Sequence, residues 1–335
     1  MHRLLQGRLL VTYFKYGRQG ILFQGGSPTV RLLSTNGGTS TSSTGGSTTT
    51  SSSPAPSLSS ANHAHFCDSI LLIEKNKGVM TLILNRPKQR NALNFKLLQR
   101  LKDTLSELQD DVTNMETRAV VVVSNGPSFC SGHDLKEIQT LSTSDDRKAL
   151  FHLCSEVMNL WSLIPQPTIA AVHGMATAAG CQLAASADIT IASSDAKFMT
   201  PGANLGLFCS TPAVPLIRTI PRKIAMDMLF TGRILSAQEA LACGLISRVV
   251  DSRQGKENIE SVRVEAQKLA SLIASKSGYA MRHGKHTLSE QSCLDSIEEA
   301  YAVASAAMAK DLESEDAQIG IDAFVEKRLA EWKHK

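Results

Sequence analysis

Three short runs of this chain are apolar without alternating: RAVVVVS (118–124), TIAAV (168–172) and, less strictly, DITIA (188–192). A strand with one wet face alternates polar and apolar side chains. A strand that does not alternate is covered on both faces, as in a parallel sheet flanked by helices. The segments between the runs fit that demand. Asn94 can cap a helix whose Leu97, Leu98, Leu101, Leu105 and Leu108 share one face. A second helix, around 145–164, must stop before Pro165 and Pro167. Upstream, ILLIE (70–74), the turn KNKG and VMTLILN (79–85) form a hairpin pattern. Strands alternating with helices predict an α/β domain with parallel strands.

The last third changes character. Pro221 opens a helix that Gly232 closes, and Ser236-Ala-Gln-Glu239 is a capping box whose helix Gly244 stops. Residues 256–335 are then mainly helical. The folded domain is expected to span 68–335, one unit with a helical C-terminal extension.

Charge separates the domain from what precedes it. Residues 1–67 hold Arg3, Arg8, Lys15, Arg18 and Arg31 and no acid, so removing them takes the net charge from +4 to −1. An acid-free leader rich in Arg, apolar and hydroxyl residues looks like a mitochondrial transit peptide, which puts the mature protein in the mitochondrial matrix. Residues 34–60, dominated by Ser, Thr and Gly, cannot bury enough apolar area to offset their ordering entropy and are expected to be a flexible linker. No basic stripe argues for nucleic acid, and no run approaches a membrane span. The seven cysteines are scattered, with no C-x-x-C pair, so neither a zinc cluster nor a disulfide framework is signalled.

Chemistry is signalled where two strands hand over to helices. RAVVVVS leads through NGPSFCSGHD to a helix near Leu135, and TIAAV leads through HGMATAAG to a helix containing Gln182. Small residues before a helix leave first-turn N–H groups without partners. Two such amides meeting at one point would form an oxyanion hole. The same small residues would equally serve tight helix–strand packing.

NRPKQRNAL (85–93), FCSGHDLKE (129–137), AAVHGMATAAGCQLAASADITIAS (170–193), FTGRILSAQEALACGLISRVV (230–250) and FVEKR (324–328) together resemble the crotonase, or enoyl-CoA hydratase/isomerase, superfamily over about 70–335. The resemblance implies a spiral of ββα turns with C-terminal helices that build homotrimers or dimers of trimers. It implies acyl-CoA thioesters as substrates or ligands, with no further cofactor and no metal. The oxyanion-hole amides would be the backbone N–H groups of His133 and Ala179. Coenzyme A would lie along Lys88, Ala92 and Leu93, with Asp134, Leu135 and Lys136 nearby. Phe324 and Lys327 would approach the nucleotide from the same or a neighbouring subunit.

The chain departs from the family at two positions. The hydratases' two glutamates fall here on Gln182 and Gly202. Glutamine orients water but exchanges no proton at neutral pH, and glycine offers only space. Each general acid or base contributes about 10²–10⁴-fold, so ordinary hydration is expected to be missing. Substitutes within reach of the motifs are His133, His152 with Glu156 one helical turn later, His173, and Thr200, Asn204, Cys209 and Ser210. A structural role is the simpler account of each. Three functions stay open: an acyl-CoA-binding protein of fatty-acid metabolism without hydratase activity, an active thioesterase, isomerase or decarboxylase, and a non-enzymatic regulatory or structural subunit.

Overall fold

The computed structural model describes residues 69–110, 116–251 and 258–335. The expected transit peptide and linker, and Cys67, lie outside the described residues.

Two sheets organise the domain. The elements run β1 (Leu71–Asn76), β2 (Val79–Leu84), α1 (Phe95–Asp110), β3 (Ala119–Ser124), α2 (Leu135–Thr140), α3 (Ser144–Leu163), β4 (Thr168–Val172), β5 (Met175–Thr177), α4 (Ala179–Ala185), β6 (Ile189–Ser193), β7 (Lys197–Met199), α5 (Ser210–Thr219), α6 (Arg222–Thr231), β8 (Leu235–Ser236), α7 (Ala237–Ala242) and β9 (Arg248–Val250), then helices α8 (Asn258–Ala274), α9 (Gly278–Gln291), α10 (Ile297–Asp311) and α11 (Glu315–Val325). The larger sheet has the order β1-β2-β3-β4-β6-β9. Only its β1–β2 hairpin is antiparallel. The smaller sheet, β5-β7-β8, collects the short strands that follow β4 and β6. Two turns, β4-β5-α4 and β6-β7-α5, therefore lay one strand in each sheet before a helix, as in the ββα spiral that the motifs imply.

The unbroken apolar runs have a direct explanation. In β3, Val120 and Val122 face a core shared with the α1 leucines and with Leu150, Leu153, Val157 and Trp161 of α3. Its Ala119, Val121 and Val123 face a second core built against Val262, Ala266, Leu269 and Ala270 of α8. Both pleat faces are dry, and each fully buried aliphatic side chain stabilises the fold by about 1.5–3 kcal/mol.

Local signals land where expected. The Asn94 side chain accepts from the Leu97 N–H (3.0 Å), and Ser236 and Glu239 complete their capping box. A second box, Thr143 with Asp146, starts α3. The C-terminal helices are fastened by an ion pair whose lysine is largely buried: Lys285 Nζ of α9 meets Oδ2 of the more exposed Asp188 at 2.6 Å. Lys285 also donates to the Gln166 carbonyl (3.1 Å), while Asp188 Oδ2 accepts from the Thr168 N–H (2.7 Å). By contrast α10 has no buried residue and exposes Ile297, Tyr301 and Met308. No helix among the described residues is long and apolar enough to cross a membrane.

Candidate active site

The two small-residue loops meet. Gly132 has φ +89°, and a Cβ there would lie 3.0 Å from both the Thr177 carbonyl oxygen and the Ala178 Cβ. Gly180 sits so close to the other loop that a Cβ would collide with the Cys130 carbonyl oxygen. Only glycine permits either approach. Main-chain bonds hold the register: Cys130 N–H donates to the Met175 carbonyl (3.1 Å) and Thr177 N–H to the Cys130 carbonyl (2.9 Å). Helix α4 is pinned from behind, with Trp161 Nε1–H donating to the Leu183 carbonyl (3.1 Å) and Thr190 Oγ1–H to the Ala184 carbonyl (2.7 Å).

At this junction stand the two amides that the motifs single out. Ala179 is the first residue of α4, and no side chain caps that helix. Among the described residues, neither the Ala179 N–H nor the His133 N–H donates to a protein acceptor. Ala178, between the loops, takes φ +50°, ψ −116°, a conformation rare for a residue with a Cβ. Such strain gathers at functional sites and here aims the Ala179 peptide.

Two polar side chains accompany the amides, each with buried atoms that find no partner. Gln182, one turn into α4, is 3 % exposed, and its Oε1 accepts no hydrogen bond. His133 packs edge-on against Phe151 of α3, ring centroids 5.1 Å apart. Both its ring nitrogens are buried and unpaired. Burial pushes its pKa down to about 4. The imidazole is therefore neutral near pH 7, able to donate or accept a hydrogen bond but a weak base. Because the folded protein resists protonating it, stability is full above about pH 6.5 and falls as pH drops toward 4. The loss is on the order of 3 kcal/mol at most. His133→Phe is expected to flatten that acid limb; equal losses of melting temperature between pH 7 and pH 5 in both proteins would remove His133 as its source.

The second family position is filled rather than empty. The Gly202 N–H points at Cys209 Sγ (3.3 Å), and a Cβ on Gly202 would come within 2.8 Å of that sulfur. Burial raises the Cys209 thiol pKa, with the Gly202 N–H pulling the other way. Burial also pushes Cys130, Cys154 and Cys181 up to about 12, so they stay thiols rather than nucleophilic thiolates.

The proposed coenzyme A segment lies against the same junction. Leu93 N–H donates to the Gly132 carbonyl (2.7 Å) and Asp134 N–H to the Leu93 carbonyl (3.0 Å), placing Ala92 and Leu93 beside His133. Both of those side chains are buried, so their contribution to a surface ligand is main-chain. Lys88 is exposed in the 3-10 turn Pro87–Gln89; Leu135 and Lys136 are exposed at the start of α2. Asp134 has structural work: it accepts from the Lys136 N–H (3.2 Å) at the start of α2 and pairs with Arg86 (2.9 Å), which also bonds the Ala92 carbonyl. Burial alone would raise its pKa, but the Arg86 hydrogen bond and charge bring the net shift below the ordinary carboxylate value. Sequence reasoning missed Asn91. Fully buried at φ +55°, it accepts from the Arg86 N–H (2.8 Å) and donates to the Asn125 and Ser128 carbonyls (2.8 Å each), joining this segment to the loop after β3.

The remaining candidates find other partners. Glu156 is held by Lys102 of α1 at 3.0 Å, and His152 is 77 % exposed with its Nε2 4.0 Å from Glu156. His173 Nε2 bonds the Gly126 carbonyl (2.8 Å), Thr200 the Met228 carbonyl (3.1 Å) and Ser210 Oγ the Phe208 carbonyl (3.5 Å). Asn204 is exposed. Phe324 and Lys327 stand exposed at the end of α11, where Phe324 lines a cleft with Tyr279, Met308, Ile321 and Trp332.

Known proteins share this layout. The enoyl-CoA hydratase/isomerase family profile matches residues 74–335. The rat protein called enoyl-CoA hydratase domain-containing protein 3, mitochondrial, is 45% identical over 257 residues, covering 77% of this chain and 82% of its own length. The crotonyl-CoA hydratase of Syntrophomonas wolfei is 32% identical over 270 residues, covering 79% of this chain and 98% of its own. The crystal structure of human enoyl coenzyme A hydratase domain-containing protein 3 superimposes with a TM-score of 0.73 at 41% identity, over 79% of this chain and all of that one.

Proposed function

The chain belongs to the enoyl-CoA hydratase/isomerase family, and from that premise we propose that it is a mitochondrial acyl-CoA-binding protein of acyl-CoA metabolism that lacks ordinary hydratase activity. One observation carries the reading: two uncommitted amides, His133 N–H and Ala179 N–H, stand at a built junction whose family carboxylate positions are a buried amide and a glycine packed on a thiol. Amides so arranged polarise a thioester carbonyl, and that grip does not depend on their side chains. Adding water needs a group that moves a proton, and Gln182 and Gly202 offer none.

The mitochondrial assignment is supported by the acid-free leader and by the names of the rat, mouse and human relatives. Assembly into homotrimers or dimers of trimers is supported by the apolar side chains that α10 and α11 expose, among them Ile297, Tyr301, Ile321 and Val325. An active thioesterase, isomerase or decarboxylase would have to rely on His133, which at a pKa of about 4 is poorly matched to proton abstraction near neutral pH.

Titration calorimetry with butyryl-CoA and crotonyl-CoA, paired with a crotonyl-CoA hydration assay, tests the proposal. Binding is expected, with hydration slower than that of an authentic hydratase by about 10³-fold or more. Hydration within about tenfold of such an enzyme would overturn it.

A further inference from the structure

We propose that Asp316 closes residues 332–335 into a strap that holds the Phe324–Lys327 corner in place for the nucleotide end of a bound acyl-CoA, a role that rests on the function proposed above. Asp316 is the second residue of α11 and is 2 % exposed. Its Oδ1 accepts from the main-chain N–H groups of Lys333 (2.7 Å) and His334 (3.1 Å), and its Oδ2 accepts from the Ser277 hydroxyl (2.6 Å). Its own N–H donates to the Lys335 carbonyl (3.3 Å). One buried carboxylate thus ties the start of α11 to the start of α9 and to the returning chain.

The rest of the segment is seated as firmly. Trp332 Nε1–H donates to the Ser275 carbonyl (2.9 Å). Its ring lies over Gly320, where a Cβ would come within 3.1 Å of two ring carbons. His334 Nδ1 accepts from the Gly278 N–H (3.1 Å), and Lys333 pairs with Glu315 (3.0 Å). The chain therefore leaves α11 at Val325, turns through Lys327 at φ +56°, where the Arg328 N–H reaches the Ala323 carbonyl (2.9 Å), and runs back to the start of the same helix.

The corner of that turn is closed by main-chain bonds of its own, from the Glu326, Lys327 and Arg328 N–H groups to the Asp322, Phe324 and Ala323 carbonyls, but its two side chains stand free of the helix packing. Phe324 is 85 % exposed, and Lys327 is exposed with no ion pair among the described residues. The last residues of a domain are poorly ordered unless they are tied down. The strap ties the chain that leaves this corner, so the aromatic ring and the ammonium are presented in one geometry, and the ordering cost of binding falls. In the cleft of about 430 Å³ that Trp332 lines, Phe324 shares the wall with Tyr279, Met308, Leu312 and Ile321.

The experiment compares wild type with Asp316→Ala, Gly320→Val and a chain ending at Glu331, by amide hydrogen exchange over 332–335 and by calorimetry with coenzyme A and an acyl-CoA. In the two full-length variants the amides of Lys333 and His334 are expected to lose protection. In all three variants both ligands are expected to bind about tenfold more weakly. Phe324→Ala is expected to match that loss and to add nothing to it in combination with Asp316→Ala. Should Asp316→Ala fold poorly, Gly320→Val and the shortened chain carry the test alone. Lost protection with affinities within about twofold of wild type overturns the positioning role, and unchanged protection in Asp316→Ala overturns the strap. A wild-type protein that binds neither ligand overturns the proposed function itself, and the positioning role with it.

Discussion

Replacing Gln182 and Gly202 together with glutamate is expected to give a less stable protein that still falls short of a hydratase. The two positions are not equivalent. Gln182 already occupies a long polar side chain's space, so Gln182→Glu changes chemistry more than shape. It is expected to leave folding intact and to raise hydration by at most one carboxylate's share, about 10²–10⁴-fold. Gly202 has no such space. Its new Cβ would meet Cys209 Sγ at 2.8 Å, the Cys209 nitrogen at 3.1 Å and the Leu207 carbonyl oxygen at 3.2 Å. Overpacking of this kind costs about 1–3 kcal/mol, and a buried acceptor without a donor costs about 1–3 kcal/mol more. The double variant should melt at least about 5 °C lower than wild type, with the 202–209 loop displaced and the second carboxylate misplaced. Calorimetry and a crotonyl-CoA hydration assay read both parts. A double variant as stable as wild type and as fast as a hydratase would refute the idea that the loop has closed over the old position.

The second large effect concerns the grip rather than the chemistry. Gly180→Ala drives a methyl into the Cys130 carbonyl oxygen and leaves it 2.7 Å from the Cys130 Cβ. The start of α4 must move away from the strand-like segment at 130, and the Thr177–Cys130 main-chain bond goes with it. The Ala179 N–H is then carried away from the loop that bears His133. Affinity for an acyl-CoA is expected to fall at least about tenfold, while that for free coenzyme A, whose proposed segment 85–93 lies away from the substitution, is expected to change little. Titrating both ligands against both proteins, with folding confirmed by circular dichroism, separates the outcomes. Equal losses for the two ligands would show that the substitution damages the domain generally and that the amides have no special hold on the thioester.

How much of this could be read from the sequence depends on the range of the interaction. The strands at 118–124 and 168–172 were plain because a doubly covered strand writes itself into every residue. The Ser236–Glu239 box was plain because it spans four positions. The Thr143 box escaped because its partner is Asp146 rather than the longer Glu or Gln. The small sheet escaped because β5, β7 and β8 are two or three residues long, too short for any period to show. The motifs point to His133 and Ala179 as candidate amides, and the fold sets Gly132, next to His133, against Ala178 and the Ala179 nitrogen. What motifs could not name are groups recruited from far along the chain: Phe151 against His133, Cys209 against Gly202, Lys102 against Glu156. Each is a distant pairing that only the packed chain decides. The Glu156 pairing removed a candidate acid that helical spacing alone had kept open.

The two kinds of group at the site are inherited differently. Glutamate and glutamine codons differ by one nucleotide, so the proton-moving part of such a site can vanish in a single genetic step. The proposed thioester grip would reside in main-chain N–H groups, which every residue type but proline supplies. No side-chain exchange at His133 or Ala179 deletes an N–H short of proline, and only a deformation of the loops at Gly132, Ala178 and Gly180 can turn the donors aside. An architecture of this kind can lose proton transfer in one substitution and keep its main-chain donors, which suits it to holding a compound that it does not transform.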